Sequence, residues 1–354
     1  MRMAWCKNTS MKHIFGPVNS RRLGRSLGID LLPKKICNFD CIYCEVGATT
    51  RHTCERAEYV PTGEILAEIE QYCADPIRLA QVDVVTVTAS GEPTLHSGLG
   101  RILRFLKERT GKPVAVLTNG TNLHRPDVVA ELCQADIVIP SLDTVLPESF
   151  RRLNRPASCV DLREMIEGLV SFSHVFAGEL WLEILVAEGV NDSQEDIAAL
   201  VAVIARMRLT RVQLNTVARP PLEKFALPVS RERLREIAAR IAAVPGVPRV
   251  EIIAHGISVF APGGEGDAPE AASPRSAGAD VVTEILQMLQ RRPCTAADID
   301  RIFPMGGPDR VEQLLEPLVA SGRIEKRLHQ DRTFYQYCGN RGGRLQKSIE
   351  KEIV

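Results

Sequence analysis

Residues 28–47 read GIDLLPKKICNFDCIYCEVG: a short apolar run ending at Pro33, then Cys37, Cys41 and Cys44 within eight positions. A disulfide framework would want its cysteines in pairs, and a structural zinc site usually shows two separated Cys-x-x-Cys knuckles. Cys-x3-Cys-x2-Cys instead supplies three soft thiolates from one loop, and iron–sulfur clusters are held by such thiolates. Three ligands on a four-iron cube leave one iron open to a small molecule, much as a catalytic zinc keeps a position free.

Outward from this loop, strand-like and helix-like patterns alternate to about residue 255. GIDLLP (28–33) reads as the first strand, PTGEILAEIEQYC (61–73) as a helix, and VDVVTVTAS (82–90), almost continuously apolar, as a strand buried on both faces. LGRILRFLKERTG (99–111) is an amphipathic helix stopped by glycine, followed by the strands PVAVLTNG (113–120) and ADIVIPSLD (135–143) around the helix RPDVVAELCQ (125–134). Helix 160–172, strand 180–189, helix 193–207, strand 211–218, helix 230–244 and strand 249–254 complete the series. Repeated βα units with buried strands imply an α/β fold on a parallel sheet, open or closed into a complete or partial barrel. In either form the chemistry sits beyond the carboxyl ends of the strands, where the cysteine loop falls.

At 354 residues the chain has length for one large domain and a small one. Lys plus Arg and Asp plus Glu both number 44, so no global charge demands nucleic acid or an anionic membrane. No apolar run approaches a membrane span, and MRMAWCKNTSMKHIFG has no apolar signal region, so a cytoplasmic protein is expected. In a reducing compartment the ten cysteines are not expected to form disulfides. Cys6, Cys54, Cys73, Cys133, Cys159, Cys294 and Cys338 read as free or half-buried thiols.

The cysteine spacing, with Tyr43 just before the third cysteine, resembles the radical S-adenosylmethionine (radical SAM) superfamily. That resemblance implies a partial parallel (β/α) barrel with a [4Fe–4S] cluster on Cys37, Cys41 and Cys44. The open iron would chelate the amino and carboxylate groups of S-adenosylmethionine, and reductive cleavage would release a 5′-deoxyadenosyl radical. ASGEPTL (89–95) matches the family's Gly-Gly-Glu-Pro motif at Ser90, Gly91, Glu92 and Pro93, with Ser for the first Gly. The resemblance places this turn at the methionine ammonium, and Ser141, Asp143 and Asn215, at later strand ends, at the rest of the cofactor. A one-electron donor such as flavodoxin or ferredoxin is implied as a partner. GPVNSRRLG, SLGIDL and LNTVARPP (214–221) are further similar to the subgroup of tRNA wyosine-forming enzymes, without a matching set of cysteines for a second cluster.

Some residues carry competing readings. Arg21, Arg22 and Arg25 form either a solvated basic face or an anion site near the cluster mouth. Glu183 in an apolar strand is costly unless paired. Asn191-Asp192-Ser193 reads as a helix cap. A zinc site with His52 as fourth ligand is a further alternative to the cluster, and a DNA-binding sensor that carries a cluster without turnover is the rival to an enzyme.

APGGEGDAPEAASPRSAGAD (261–280) reads as a linker, so the expected domains are a barrel over 16–258, a linker over 259–280, a winged-helix-like unit over 281–338 and a tail over 339–354. In the C-terminal region Arg323, Lys326, Arg327, Arg332, Arg341, Arg344 and Lys347 face only Glu325 and Asp331, which suits RNA or DNA, while protein docking is the alternative use of such a unit. The expected substrate is an RNA base first and a peptide side chain second.

Overall fold

The computed structural model describes residues 11–20, 22–247, 249–253, 259–260 and 279–338. Arg21, Cys6, the expected linker apart from a few backbone positions, and the expected tail lie outside them.

One nine-stranded sheet organises the larger part. Its strands in chain order are β1 (Ile14–Ser20), β2 (Gly24–Asp30), β5 (Val84–Thr88), β6 (Val114–Thr118), β7 (Ile137–Pro140), β8 (Glu179–Val186), β9 (Arg211–Thr216), β10 (Val250–Ile252) and β11 (Val259–Phe260). The two-residue strands β3 (Ile36–Cys37) and β4 (Arg51–His52) pair separately within the cysteine loop. From β2 to β10 the sheet is parallel, with neighbours in chain order, and antiparallel β1 and β11 close its edges. This is the expected partial barrel.

Helices cover its outer face because each βα crossover buries an apolar stripe against the strands. Leu27 and Ile29 of β2, Val85 and Val87 of β5, and Ile102, Leu103 and Leu106 of helix Leu99–Thr110 are fully buried in one shared core. Gly111 ends that helix at φ +59°, a left-handed turn that glycine takes without strain. The inner face is different. Alternation along β2 and β5 turns Ser26, Gly28, Asp30, Thr86 and Thr88 inward, so the sheet encloses a polar cavity rather than a second core. Ser26 and Thr86 hydroxyls meet there at 2.6 Å.

The last part of the chain packs helices Ala279–Arg291, Ala296–Ile302 and Pro308–Ala320 against an antiparallel hairpin, β12 (Ile324–His329) and β13 (Arg332–Tyr337). Ile285, Leu289, Ile299, Val311, Leu315 and Tyr335 give it a core of its own. It rests on the barrel: Asn19 Nδ2 donates to the Arg301 carbonyl at 2.9 Å, Gln287 Nε2 to Met11 at 3.0 Å, and Gln330 Nε2 at the hairpin tip to Val217 at 2.7 Å.

Three expectations need correction. The strand that leads into the cysteine loop is Gly24–Asp30 rather than 28–33, because it pairs with both β1 and β5 before the chain turns into Leu31-Leu32-Pro33. Residues 14–20, to which no element is assigned from the sequence, are an edge strand. Cys54 and Cys159, read as free thiols, form a disulfide. The reason lies in the loop between them: Thr53 N–H donates to the Cys37 carbonyl at 3.1 Å and Ala157 N–H to the Asn38 carbonyl at 2.9 Å. Two distant segments are thus pinned to consecutive residues of the cysteine loop, and their sulfurs meet.

Candidate active site

The cysteine loop leaves the carboxyl end of β2 and folds across the mouth of the barrel. The SGEP turn, leaving the end of β5, presses against it from one side. Glu92 N–H donates to the Ile36 carbonyl at 3.0 Å, and a Cβ on Gly91 would stand 1.8 Å from that oxygen. Only glycine allows two loops to approach this closely. Glu92, 1% exposed, caps the short helix Pro93–Leu95; its Oε1 accepts from the Thr94 and Thr118 hydroxyls at 2.6 Å each and its Oε2 from Asn119 N–H at 2.6 Å. Burial pushes this carboxyl above its ordinary value despite those donors.

Ser90, where the family motif has glycine, turns towards β2. Its N–H and hydroxyl donate to the two carboxylate oxygens of Asp30 at 2.9 and 2.6 Å. Tyr43 Oη donates to Asp143 Oδ2 at 2.6 Å; Asp143 also accepts from Asn154 Nδ2 at 2.9 Å and Leu185 N–H at 2.9 Å. Burial raises both pKa values, so the phenol keeps its proton and remains a donor. Ser141 N–H donates to the Thr118 carbonyl at 3.0 Å, and Asn215 Oδ1 accepts from Thr216 N–H at 3.0 Å.

These residues come together around two connected hollows. One, of about 200 Å³, is lined by Cys37, Cys41, Tyr43, Gly91, Glu92, Ser141 and Asp143 among others. The second, about 180 Å³, adds Cys44, Glu45, Asn215 and Arg219 and shares Tyr43, Ser141, Asp143 and Glu183 with the first. Pro93 is buried, and the remaining expected site residues line a cavity. Glu183 is paired, as its position in a strand requires: Arg22 Nη1 lies 3.0 Å from its Oε1. Arg25 instead makes an exposed ion pair with Asp83 at 2.8 Å. The cap is Ser193, whose hydroxyl accepts from Asp196 N–H; Asn191 braces Leu185 and Asp143 through their carbonyls.

The three cysteines fit an iron–sulfur cluster by their own chemistry. Burial pushes the Cys37 thiol up to about 12, with the nearby Glu92 carboxylate adding to it, and raises Cys41 well above its ordinary value. Thiols so placed stay protonated unless a cation faces them, and bound metal deprotonates a thiol outright. Nitrogen donors already face the sulfurs: Phe39 N–H at 3.4 Å and Asn119 Nδ2 at 3.7 Å from Cys37 Sγ, and Asn154 Nδ2 at 3.5 Å from Cys41 Sγ. Among the described residues no three His, Cys, Asp or Glu side chains gather tightly enough for a single metal ion. A cube of four irons takes one thiolate per iron and needs no such convergence. His52 Nε2 faces the Asn38 carbonyl at 3.2 Å.

Lys35 was not legible as a site residue. Only 6% exposed, it donates to the Gly47 carbonyl and lies 3.6 Å from Asp40. Burial alone would lower its pKa, but the facing Cys44, Cys41 and Cys37 sulfurs outweigh that and raise it. A fixed ammonium thus stands beside the thiols. Asn154 and Arg219 were also missed, since each is distant in sequence from the motif it serves.

A three-cysteine loop and a Gly-Glu-Pro turn at the carboxyl face of a parallel partial barrel define a radical SAM enzyme, a class that uses a [4Fe–4S] cluster and S-adenosylmethionine. The profile of the radical SAM superfamily matches residues 31–201. Within that superfamily the chain belongs to the UPF0026 family: it is 37% identical to the UPF0026 protein slr1464 of Synechocystis over 61% of this chain and 80% of that one. It is also 31% identical over 90% of its length to a protein of Brachyspira hyodysenteriae named GTPase Obg, of which it spans 44%. Among solved structures, a radical SAM methyltransferase from Sphaerobacter thermophilus shares the fold, with 19% identity over 64% of this chain and 66% of that one and a TM-score of 0.50. TYW1 with a lysine-pyruvate adduct bound aligns at 20% identity over 64% of this chain and 76% of that one, with a TM-score of 0.45. No helix among the described residues is long and apolar enough to cross a membrane.

Proposed function

We propose that Cys37, Cys41 and Cys44 hold the cluster and that S-adenosylmethionine lies across the two hollows, its methionine end at Gly91 and Glu92. The observation that carries this reading is the Gly91–Ile36 contact, which locks the SGEP turn against the cysteine loop over a cavity also reached by Tyr43, Ser141 and Asp143. Once bound, the cluster and cofactor supply an electron and a 5′-deoxyadenosyl radical for hydrogen abstraction. The chain's own residues do the rest. Glu92 Oε2, with one donor from Asn119, keeps capacity to accept from an ammonium. Tyr43, fixed by Asp143, forms a wall beside Cys44, and the barrel shields the reacting carbon from water.

The substrate we propose is an RNA nucleotide, with the C-terminal unit acting as a winged-helix-like docking module. Arg323 and Arg332 support this reading, since neither makes an ion pair among the described residues, whereas Lys326 and Arg327 pair with Glu316 and Glu325. The hairpin tip is held on Val217, so a bound chain would reach the barrel mouth beside Arg219. The deciding experiment is anaerobic: reconstitute the cluster, add dithionite and S-adenosylmethionine, and measure 5′-deoxyadenosine by mass. Formation in the wild type and loss in Cys41→Ala supports the reading. A reducible four-iron cluster that neither binds nor cleaves the cofactor overturns it.

A further inference from the structure

Between the inner face of the barrel and the C-terminal helices lies a third chamber of about 360 Å³. It opens to the proposed cofactor site: Glu45, Glu183, Asn215 and Arg219 line both. Its far wall is built by the C-terminal unit, through Met288, Arg291, Arg292 and Arg301. A volume of this size suits a small organic molecule or one flipped-out residue of a polymer. Its floor is the polar inner face of β2 and β5, so it is a lined cavity and not a packing flaw.

The charges decide what it takes. Five arginines, Arg22, Arg219, Arg291, Arg292 and Arg301, line it against four carboxylates. Each carboxylate has a cation: Glu183 has Arg22 at 3.0 Å, Asp30 has Arg291 at 3.5 Å, Glu45 has Arg219 at 3.6 Å, and Asp298 has Arg301 at 3.5 Å. The arginines are not exhausted in the same way. Arg292 has no ion-pair partner among the described residues. Arg291 lies over the Phe15 ring at 4.2 Å; its Nη1 and Nη2 donate to the Gln287 and Lys12 carbonyls, and its Nε faces Asp30 Oδ2 at 3.5 Å without a hydrogen bond, so one N–H on each terminal nitrogen is left over. A guanidinium offers five N–H donors, and a buried one left unused is costly.

We propose that this chamber is the substrate site and that it takes an oxyanion, a phosphate or a carboxylate, on Arg291 and Arg292, with the rest of the molecule directed to the mouth at Ser90 and Asn215. Arg291 reaches Asp30, and Asp30 holds Ser90, so the anion end is tied by two contacts to the SGEP turn. The C-terminal unit therefore completes the substrate site. This deepens the radical reading and rests on it for the identity of the reacting end, but anion binding can be measured alone.

The test is calorimetry on the full chain with inorganic phosphate, guanosine 5′-monophosphate and glutarate as separate probes at constant ionic strength. Binding of the nucleotide above inorganic phosphate assigns the anion to a phosphate ester; preference for glutarate assigns it to a carboxylate. Arg292→Gln is expected to weaken the preferred probe about tenfold or more, as loss of a charge-assisted hydrogen bond does, and Arg292→Lys to restore part of it. Arg291→Gln is expected to act likewise, with melting curves checking its fold. No saturable binding of any probe, or affinity unchanged in Arg292→Gln, overturns the proposal. Failure of the deoxyadenosine assay with this binding intact would condemn the radical reading and leave the oxyanion site standing.

Discussion

Ser90 and Asp30 are joined by two hydrogen bonds, hydroxyl to Oδ2 at 2.6 Å and N–H to Oδ1 at 2.9 Å. The serine at the head of the SGEP turn therefore ties β5 to the last residue of β2. Asp30 carries the link on to Arg291 of the C-terminal unit. Ser90→Gly keeps the N–H but removes the hydroxyl. Hydrogen bonds to a charged group contribute about 1.5–3 kcal/mol each, so a comparable loss of unfolding free energy is expected in denaturant titrations. Cofactor binding should persist, because Glu92 takes its hydrogen bonds from Thr94, Thr118 and Asn119 and none from Ser90. A variant as stable as wild type would show that the hydroxyl bond contributes nothing.

Gly91→Ala forces a methyl group into the Ile36 carbonyl, 1.8 Å from the ideal Cβ position. Backbone cannot yield as a flexible side chain does, so the two loops must part. Overpacking costs typically about 1–3 kcal/mol, and here it also opens the hollow proposed for the cofactor. Affinity for S-adenosylmethionine, read by calorimetry on reconstituted protein, should fall by about tenfold or more. Retained affinity would mean that the loops have freedom to separate.

Lys35→Met removes the ammonium that faces the three sulfurs and keeps the apolar stem. With one positive charge fewer beside the cluster, the reduced state loses more stabilisation than the oxidised one, so the midpoint potential should move negative. Redox titration followed by electron paramagnetic resonance reads this directly, with iron content confirming that the cluster is present. A potential equal to wild type would remove Lys35 from the cluster's electrostatics.

The order of strands and helices was legible because buried βα units leave long apolar runs broken by Gly and Pro. Edge strand β1 was not, since IFGPVNS shows neither alternation nor a continuous apolar run. The inner face of β2 and β5 was hidden for a related reason: starting the strand at Gly28 lost Ser26, and Thr86 and Thr88 read as ordinary β-branched strand formers. Cys37, Cys41 and Cys44 share one loop and announced themselves. Lys35 did not, because a lysine beside Lys34 reads as solvated. The Tyr43–Asp143 and Ser90–Asp30 bonds join residues 100 and 60 positions apart, which no local spacing records.

Cys54 and Cys159 lie 105 residues apart, and their disulfide joins the two segments that flank Asn38 in the cysteine loop. Cross-linking a loop near 100 residues removes chain entropy worth about 4.7 kcal/mol in the simplest treatment, and loss of a native bridge typically costs about 2–5 kcal/mol. Both segments bond to backbone atoms at Cys37 and Asn38, so breaking the bridge should loosen the cluster loop before the barrel. Cys54→Ser is therefore expected to melt lower than wild type under non-reducing conditions and to release iron to a chelator faster. Adding dithiothreitol should bring wild type down to the variant and leave the variant unmoved. Alkylation without reductant, read by peptide mass, should leave Cys54 and Cys159 as the linked pair. If both thiols alkylate freely and reductant moves neither melting nor iron release, the bridge does not form in solution and the loop is held by its hydrogen bonds alone.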